Sequence, residues 1–292
     1  MRVLVTGSSG QLGSEIVKVL SLRSEARRRD PIEVFAPQRD ELDLSRRDSV
    51  LSAVVAAEPD VVFHPAAFTA VDRCETEPET ALLVNALGTR HVAEACRLGG
   101  AHLVYLSTDY VFDGEKSSPY NEWDTPNPLS VYGRTKLAGE HEVGPLGTTV
   151  RTSWVVGRTG SNMLKTVFRL ASDPDAPLRF VDDQHGCVTL ASDLAGVVVE
   201  LGLARRPGLF HVTNQGATTW FDFAREVCAL AGLRPERVEP IASSELVPPR
   251  PAPRPANSVL DNACLRLSGL PLLPDWRESL SGLVRELAGT SA

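Results

Sequence analysis

The chain has 292 residues, 42% of them apolar and 23% charged, a balance typical of globular proteins and unlike disordered or fibrous ones. Its net charge of -7 argues against nucleic acid or an anionic membrane surface as a partner, since both need a concentrated basic face. Five cysteines, at 74, 96, 187, 228 and 264, are odd in number and widely spaced, which supports neither a disulfide framework nor a CxxC metal site and suggests a reducing compartment. Met1 runs straight into a β-branched segment, with no signal-peptide pattern and no apolar stretch long enough to span a membrane, so a soluble cytoplasmic protein is expected.

Along the first half, short β-branched runs alternate with amphipathic segments, the signature of a parallel sheet covered by helices. Strands are expected at 2–6, 32–36, 60–64, 101–107 and 148–152, and helices at 11–21, 46–57, 79–98 and 130–142. The basic run Arg27-Arg28-Arg29 reads as the solvated end of the first helix. Ser45 with Asp48 three residues later resembles a capping box, and Gly99-Gly100 stops the third helix. Beyond residue 153 the rhythm loosens, with helices near 161–171, 191–203, 219–231 and 276–287 and a strand at 208–213. The run V-P-P-R-P-A-P-R-P at 247–255 can be neither helix nor central strand, because proline lacks the amide donor.

Val3-Leu4-Val5-Thr6 leads directly into Gly7-Ser8-Ser9-Gly10-Gln11-Leu12-Gly13, a GxxGxxG between the first strand and the first helix. Glycines there allow the backbone to approach a pyrophosphate, whose charge meets the amides of the helix N-terminus. The expected fold class is α/β, a Rossmann-type doubly wound parallel sheet over 1–153, to which part of 190–213 returns. A smaller C-terminal α/β substrate-binding region over 154–292 completes it. Cofactor choice is read after the second strand, where an acid would hold a free ribose hydroxyl and an arginine a 2′-phosphate. Pro37-Gln38-Arg39 stands there, so Arg39 points to NADPH, with NADH as the alternative.

Tyr132 and Lys136 form Y-x-x-x-K, whose i, i+4 spacing sets both side chains on one helical face. A carbonyl that receives hydride must also receive a proton, and a phenol becomes an adequate acid only where a nearby ammonium stabilises its anion. With four tyrosines and four lysines in the chain, a chance match is expected only ~0.05 times. Ser107 and Thr108 emerge at the carboxyl end of the fourth strand, where ligands of such sheets bind.

The segments S-T-D-Y-V-F-D-G at 107–114, P-Y-x-E-x-D-x-P-x-P at 119–128 and Y-G-x-x-K-x-x-G-E at 132–140 resemble the dTDP-4-dehydrorhamnose reductase family of extended short-chain dehydrogenases. The likeness continues through R-T-S-W-V at 151–155, D-D-Q-H-G at 182–186, T-T-W-F-D-F-A at 218–224 and R-P-A-P-R-P-A-N-S at 250–258. The resemblance implies reduction at C4 of a dTDP-linked 4-keto-6-deoxy sugar, with Thr108, Tyr132 and Lys136 as the catalytic group. It implies that Gln11, Leu12, Gly13, Asp43, Leu44, Ala66 and Ala67 contact the cofactor, as do Tyr132 and Lys136, and that Thr108, Asp109 and Trp154 contact the sugar nucleotide. Arg250 or Arg254, on the stiff proline segment, is a candidate for its diphosphate. A monomer or homodimer is expected. Some relatives use Mg2+ at a dimer contact, for which no ligand cluster is assignable here. Two departures flank the expected substrate cleft. His64-Pro65-Ala66-Ala67-Phe68 replaces the usual Asn-Ala-Ala-Ala followed by Tyr or His, and Val188 replaces the proline before Thr189. A sibling 4-ketoreductase is the near alternative, and a non-catalytic subunit like the regulatory one of methionine adenosyltransferase the distant one. Retention of Thr108, Tyr132 and Lys136 favours an enzyme.

Overall fold

The structure, a computed structural model, describes residues 1–26, 31–173 and 177–289. The arginine run at 27–29 lies outside them. The amino-terminal half contains β1 (Arg2–Val5), α1 (Gln11–Ala26), β2 (Glu33–Phe35), α2 (Arg47–Ala57), β3 (Val61–His64), α3 (Val71–Thr76), α4 (Pro78–Leu82), α5 (Gly88–Gly99), β4 (His102–Thr108), α6 (Val131–Val143) and β5 (Thr148–Thr152). There follow β6 (Val155–Val156), α7 (Met163–Ala171), β7 (Leu178–Val181), β8 (His185–Cys187), β9 (Thr189–Leu190), α8 (Ala191–Leu203) and β10 (Gly208–His211). The last elements are β11 (Ala217–Thr219), α9 (Trp220–Leu230), β12 (Val238–Ile241), α10 (Ala263–Leu267) and α11 (Trp276–Gly289).

Six strands form one parallel sheet in the order β10-β5-β4-β3-β1-β2, so β10 returns from the second half to pair with β5. Side chains of a strand alternate between faces, and the sheet is buried on both. Val3 and Val5 pack with Phe63, Val104, Ile16 of α1 and Leu194 and Val198 of α8. Leu4 points the other way, into a cluster with Val50 and Val54 of α2, Val62, and Val92 of α5. The strand order reverses between β1 and β3, which opens a crevice at their carboxyl ends and places the glycine loop on one side of it.

A second core joins α7, α9 and α11 to the β7–β12 pair through Leu164, Val167, Phe180, Phe223, Trp276 and Leu280. Its links to the sheet are short two-stranded pairs, β6–β9 and β8–β11.

Two local expectations need amending. The stretch 79–98 is helical throughout, as expected, but not regularly α: between α4 and α5 the residues Leu83–Leu87 form a π-helical turn. The wider turn carries buried Asn85, whose side-chain oxygen accepts from Phe68 N at 2.7 Å and whose amide donates to Phe68 O and Thr135 Oγ1, both at 3.1 Å. An inserted residue in the helical repeat aims this amide at the loop after β3, a recurrent use of π-turns at sites. Nor does Ser45 cap α2. The residue before that helix is Arg46, with no side-chain cap, while Ser45 donates to Asp43 Oδ1 at 2.7 Å. The stop at Gly100 occurs as expected, in a left-handed conformation with its amide bound to Cys96 O.

Candidate active site

The glycine loop is built by close backbone contact. Gly7 has φ +58°, and a β-carbon on Gly13 would come within 2.1 Å of the Gly7 carbonyl oxygen, so any side chain there would push α1 off β1. The loop opens into a cleft of about 670 Å³, large enough for a dinucleotide. Gly7, Gly10, Gln11, Leu12 and Gly13 line it, as do Arg39, Asp43 and Leu44 after β2, Ala66 and Ala67 after β3, and Tyr132 and Lys136 on α6. The candidate cofactor residues therefore converge on one cavity. Asp43 is fixed by the backbone amide and hydroxyl of Ser45, which together hold its carboxyl below the usual range. Arg39 is exposed at the rim.

His64 spans the base of the site. Its Nδ1 lies 2.8 Å from Thr6 Oγ1 and its Nε2 3.3 Å from Thr89 Oγ1, which ties β1, β3 and α5 together. Burial, then the nearby Lys136 charge, lowers its pKa to about 3. The ring is thus neutral at physiological pH and acts as a strut.

Ser130 caps α6 through the Gly133 amide at 3.1 Å and sets the pitch of Tyr132 and Lys136. Lys136 is 2% exposed. Its Nζ donates to Leu106 O at 2.6 Å and lies 4.1 Å from the centre of the Tyr105 ring. Burial lowers its pKa to about 7, opposed by the charge of Glu140. That acid sits one turn further along α6 and accepts from Arg151 at 2.9 and 2.6 Å and from Ser107 at 2.5 Å. Glu140 was not singled out by sequence reasoning. Its signal was available, an acid four residues beyond the motif lysine on the same helical face.

Tyr132 is half-buried, with its ring edge-on to Tyr110 at 5.9 Å. Burial raises its pKa above the ordinary phenol value, the Asp109 charge raises it further, and the nearby Thr108 hydroxyl lowers it. Thr108 in turn donates to Asp109 Oδ1 at 3.0 Å. Asp109 is 2% exposed, and its Oδ2 has no hydrogen-bond partner among the described residues. Burial raises its pKa to about 7, partly offset by the nearby hydroxyls of Ser258 and Thr108.

Thr108, Asp109, Trp154 and Arg254 are not in the lining of the cofactor cleft; Thr108 and Asp109 flank it at the Tyr132 end. Arg254 lies at the same end, where its charge acts on Tyr110, and Asp72 of α3 holds its guanidinium at 3.0 and 2.8 Å. Exposed Arg250 contributes a second positive charge beside them. Trp154 follows β5 and stacks on Trp220. Among the described residues no group of three or more His, Cys, Asp or Glu side chains could hold a metal ion, and no helix is long and apolar enough to cross a membrane.

A family model described as the RmlD substrate binding domain matches residues 1–288. The chain belongs to that family. It is 44% identical to a dTDP-4-dehydrorhamnose reductase of Streptomyces griseus, over 99% of this chain and 94% of the relative. It is 41% identical to a probable dTDP-4,6-dihydroxy-2-methyloxan-3-one 4-ketoreductase of Streptomyces antibioticus, over 96% and 93%. A solved dTDP-4-dehydrorhamnose reductase from Clostridium acetobutylicum superposes with a TM-score of 0.90 at 39% identity, covering 98% of this chain and 99% of the other. One from Bacillus anthracis, solved in complex with NADP, gives 0.89 at 35% identity, covering 98% and 99%. Family membership thus extends over both cores, including the region beyond the cofactor cleft.

Proposed function

We propose that the protein is an NAD(P)H-dependent reductase of dTDP-4-dehydro-L-rhamnose that yields dTDP-L-rhamnose. The observation that carries this reading is the convergence of the cofactor cleft on Tyr132 and Lys136, with Thr108 and buried Asp109 just beyond. A nicotinamide bound in the cleft would supply the hydride for C4 of the sugar. Tyr132 donates the proton to the C4 oxygen, and Thr108, close to the phenol, orients that oxygen. Lys136 binds the nicotinamide ribose when it leaves the Leu106 carbonyl, and its charge eases loss of the tyrosine proton. Gln11, Leu12, Gly13, Ala66 and Ala67 present backbone to the cofactor, Asp43 and Leu44 flank its adenine, and Arg39 at the rim favours a 2′-phosphate and hence NADPH. Asp109 and Trp154 contact the sugar nucleotide, and Arg254 with Arg250 meets its diphosphate. Since Asp72 already holds Arg254, Arg250 supplies the more available charge.

The Streptomyces antibioticus relative, at 41% identity, favours a second reading, a 4-ketoreductase for another dTDP-deoxysugar. Parallel assays of NADPH oxidation with the rhamnose precursor and with other dTDP-4-ketosugars decide between them. Turnover of the rhamnose precursor at the highest kcat/KM supports the first reading, and an inert rhamnose precursor beside a rapidly reduced sibling replaces it with the second.

A further inference from the structure

Trp154 has φ +47°, a left-handed conformation that residues bearing side chains seldom adopt and that survives only where the surroundings enforce it. It lies between Thr152 and Val155, both of which line the cofactor cleft. One enforcing contact is Trp220, whose ring lies parallel to that of Trp154, with centres 3.8 Å apart and planes 11° apart. Another is Gly186 of β8, where an added β-carbon would stand 2.5 Å from the Trp154 indole. The residue after Gly186, Cys187, feels the charge of Asp109 and accepts a hydrogen bond from Ser153 at 2.6 Å, which brings this wall to the substrate end of the site.

Trp220 is itself rigidly held. It is the first residue of α9, which Thr219 caps by accepting from Asp222 N at 3.1 Å while donating to Asp182 at 2.7 Å. Behind it Phe223 lies edge-on at 5.8 Å and leads to fully buried Trp276. Both indoles of the stacked pair stay partly open, unlike Phe223 and Trp276 beneath them. An aromatic column thus runs from the second core to the surface at Trp154.

We propose that Trp220 is a positioning residue for the sugar nucleotide: by stacking on Trp154 it holds that indole, and the left-handed backbone beneath it, in the pose that meets the substrate. The indole face suits the C–H edge of a 6-deoxy sugar or a flat pyrimidine base, both of which pack on aromatic planes. The inference rests on the proposed contact between Trp154 and the sugar nucleotide.

Steady-state kinetics of Trp220→Ala, Trp220→Phe and Trp154→Ala test it. Trp220→Ala should raise KM for the dTDP-ketosugar by about tenfold, leave KM for NADPH unchanged and change kcat by less than about threefold. Trp220→Phe should recover most of the loss, because a phenyl ring restores much of the stacked plane. A raised sugar KM in Trp154→Ala with a parental value in Trp220→Ala overturns the role of Trp220 alone. Parental values in both overturn the contact at Trp154 and the inference with it. Equal rises in both KM values, with kcat falling alongside, would reveal general disruption and also overturn the proposal.

Discussion

Replacing Lys136 with methionine should abolish turnover and yet make the unliganded protein more stable at neutral pH. Lys136 is 2% exposed, and burial lowers its pKa from 10.5 to about 7. That fall of about 3.5 pH units, at ~1.4 kcal/mol each, sets an upper bound near 5 kcal/mol on the destabilisation from carrying this charge inside the fold. Methionine keeps the unbranched apolar stem but loses the bond to Leu106 O, so we expect a net gain of about 2 to 4 kcal/mol. The sign follows from which form each state prefers. Above the unfolded-chain value of 10.5 both states hold a neutral amine and no penalty exists; the penalty grows as pH falls and is complete below about 7. Urea unfolding of parent and variant between about pH 6 and pH 10 measures this directly. The stability difference should be largest at the acidic end and shrink toward the alkaline end. A difference independent of pH, or a variant less stable than the parent at pH 7, would refute the reasoning.

Tyr132→Phe should lower kcat by about 10² to 10⁴ while sugar-nucleotide affinity persists, because only the proton donor is removed; near-parental turnover counts against its role. Arg39→Ala should reduce the preference for NADPH over NADH by about three- to tenfold, a modest factor because the guanidinium is exposed at the rim, as kcat/KM for both cofactors will show. Glu140→Gln removes the anion that supports the Lys136 charge, so the ionisation of Lys136 should move further below pH 7. The pH limb of NADPH affinity assigned to that ammonium should shift to lower pH, and an unmoved limb would separate Glu140 from the site.

The central sheet was legible because its strands are buried on both faces and read as β-branched runs such as Val3-Leu4-Val5 and Val61-Val62-Phe63, separated by helices with a regular apolar stripe. The glycine loop and the pair on α6 were legible because their spacing is dictated by local geometry. The π-turn at Leu83–Leu87 was not: Asn85 takes its place through partners on Phe68 and Thr135, far away in sequence, and helical periodicity carries no mark of them. Ser45 misled for the opposite reason, since Asp43 is a nearer acceptor than the end of α2. The Asp72–Arg254 pairing and the Trp154–Trp220 stack join elements far apart along the chain, and no local pattern announces such contacts. Residues on one helix or one turn could be assigned together, whereas the substrate end assembles only when the second core docks on the sheet.

The central claim is that hydride passes from the cofactor to C4 of the sugar while Tyr132 supplies the proton. Its most direct test uses NADPH carrying deuterium at the transferable nicotinamide position, dTDP-4-dehydro-L-rhamnose and purified protein, with the product read by NMR. The account predicts dTDP-L-rhamnose with deuterium at C4 and solvent hydrogen on its oxygen, and no such product from Tyr132→Phe on the same time scale. Unchanged ketosugar, or a reduced sugar with no label at C4, would contradict it.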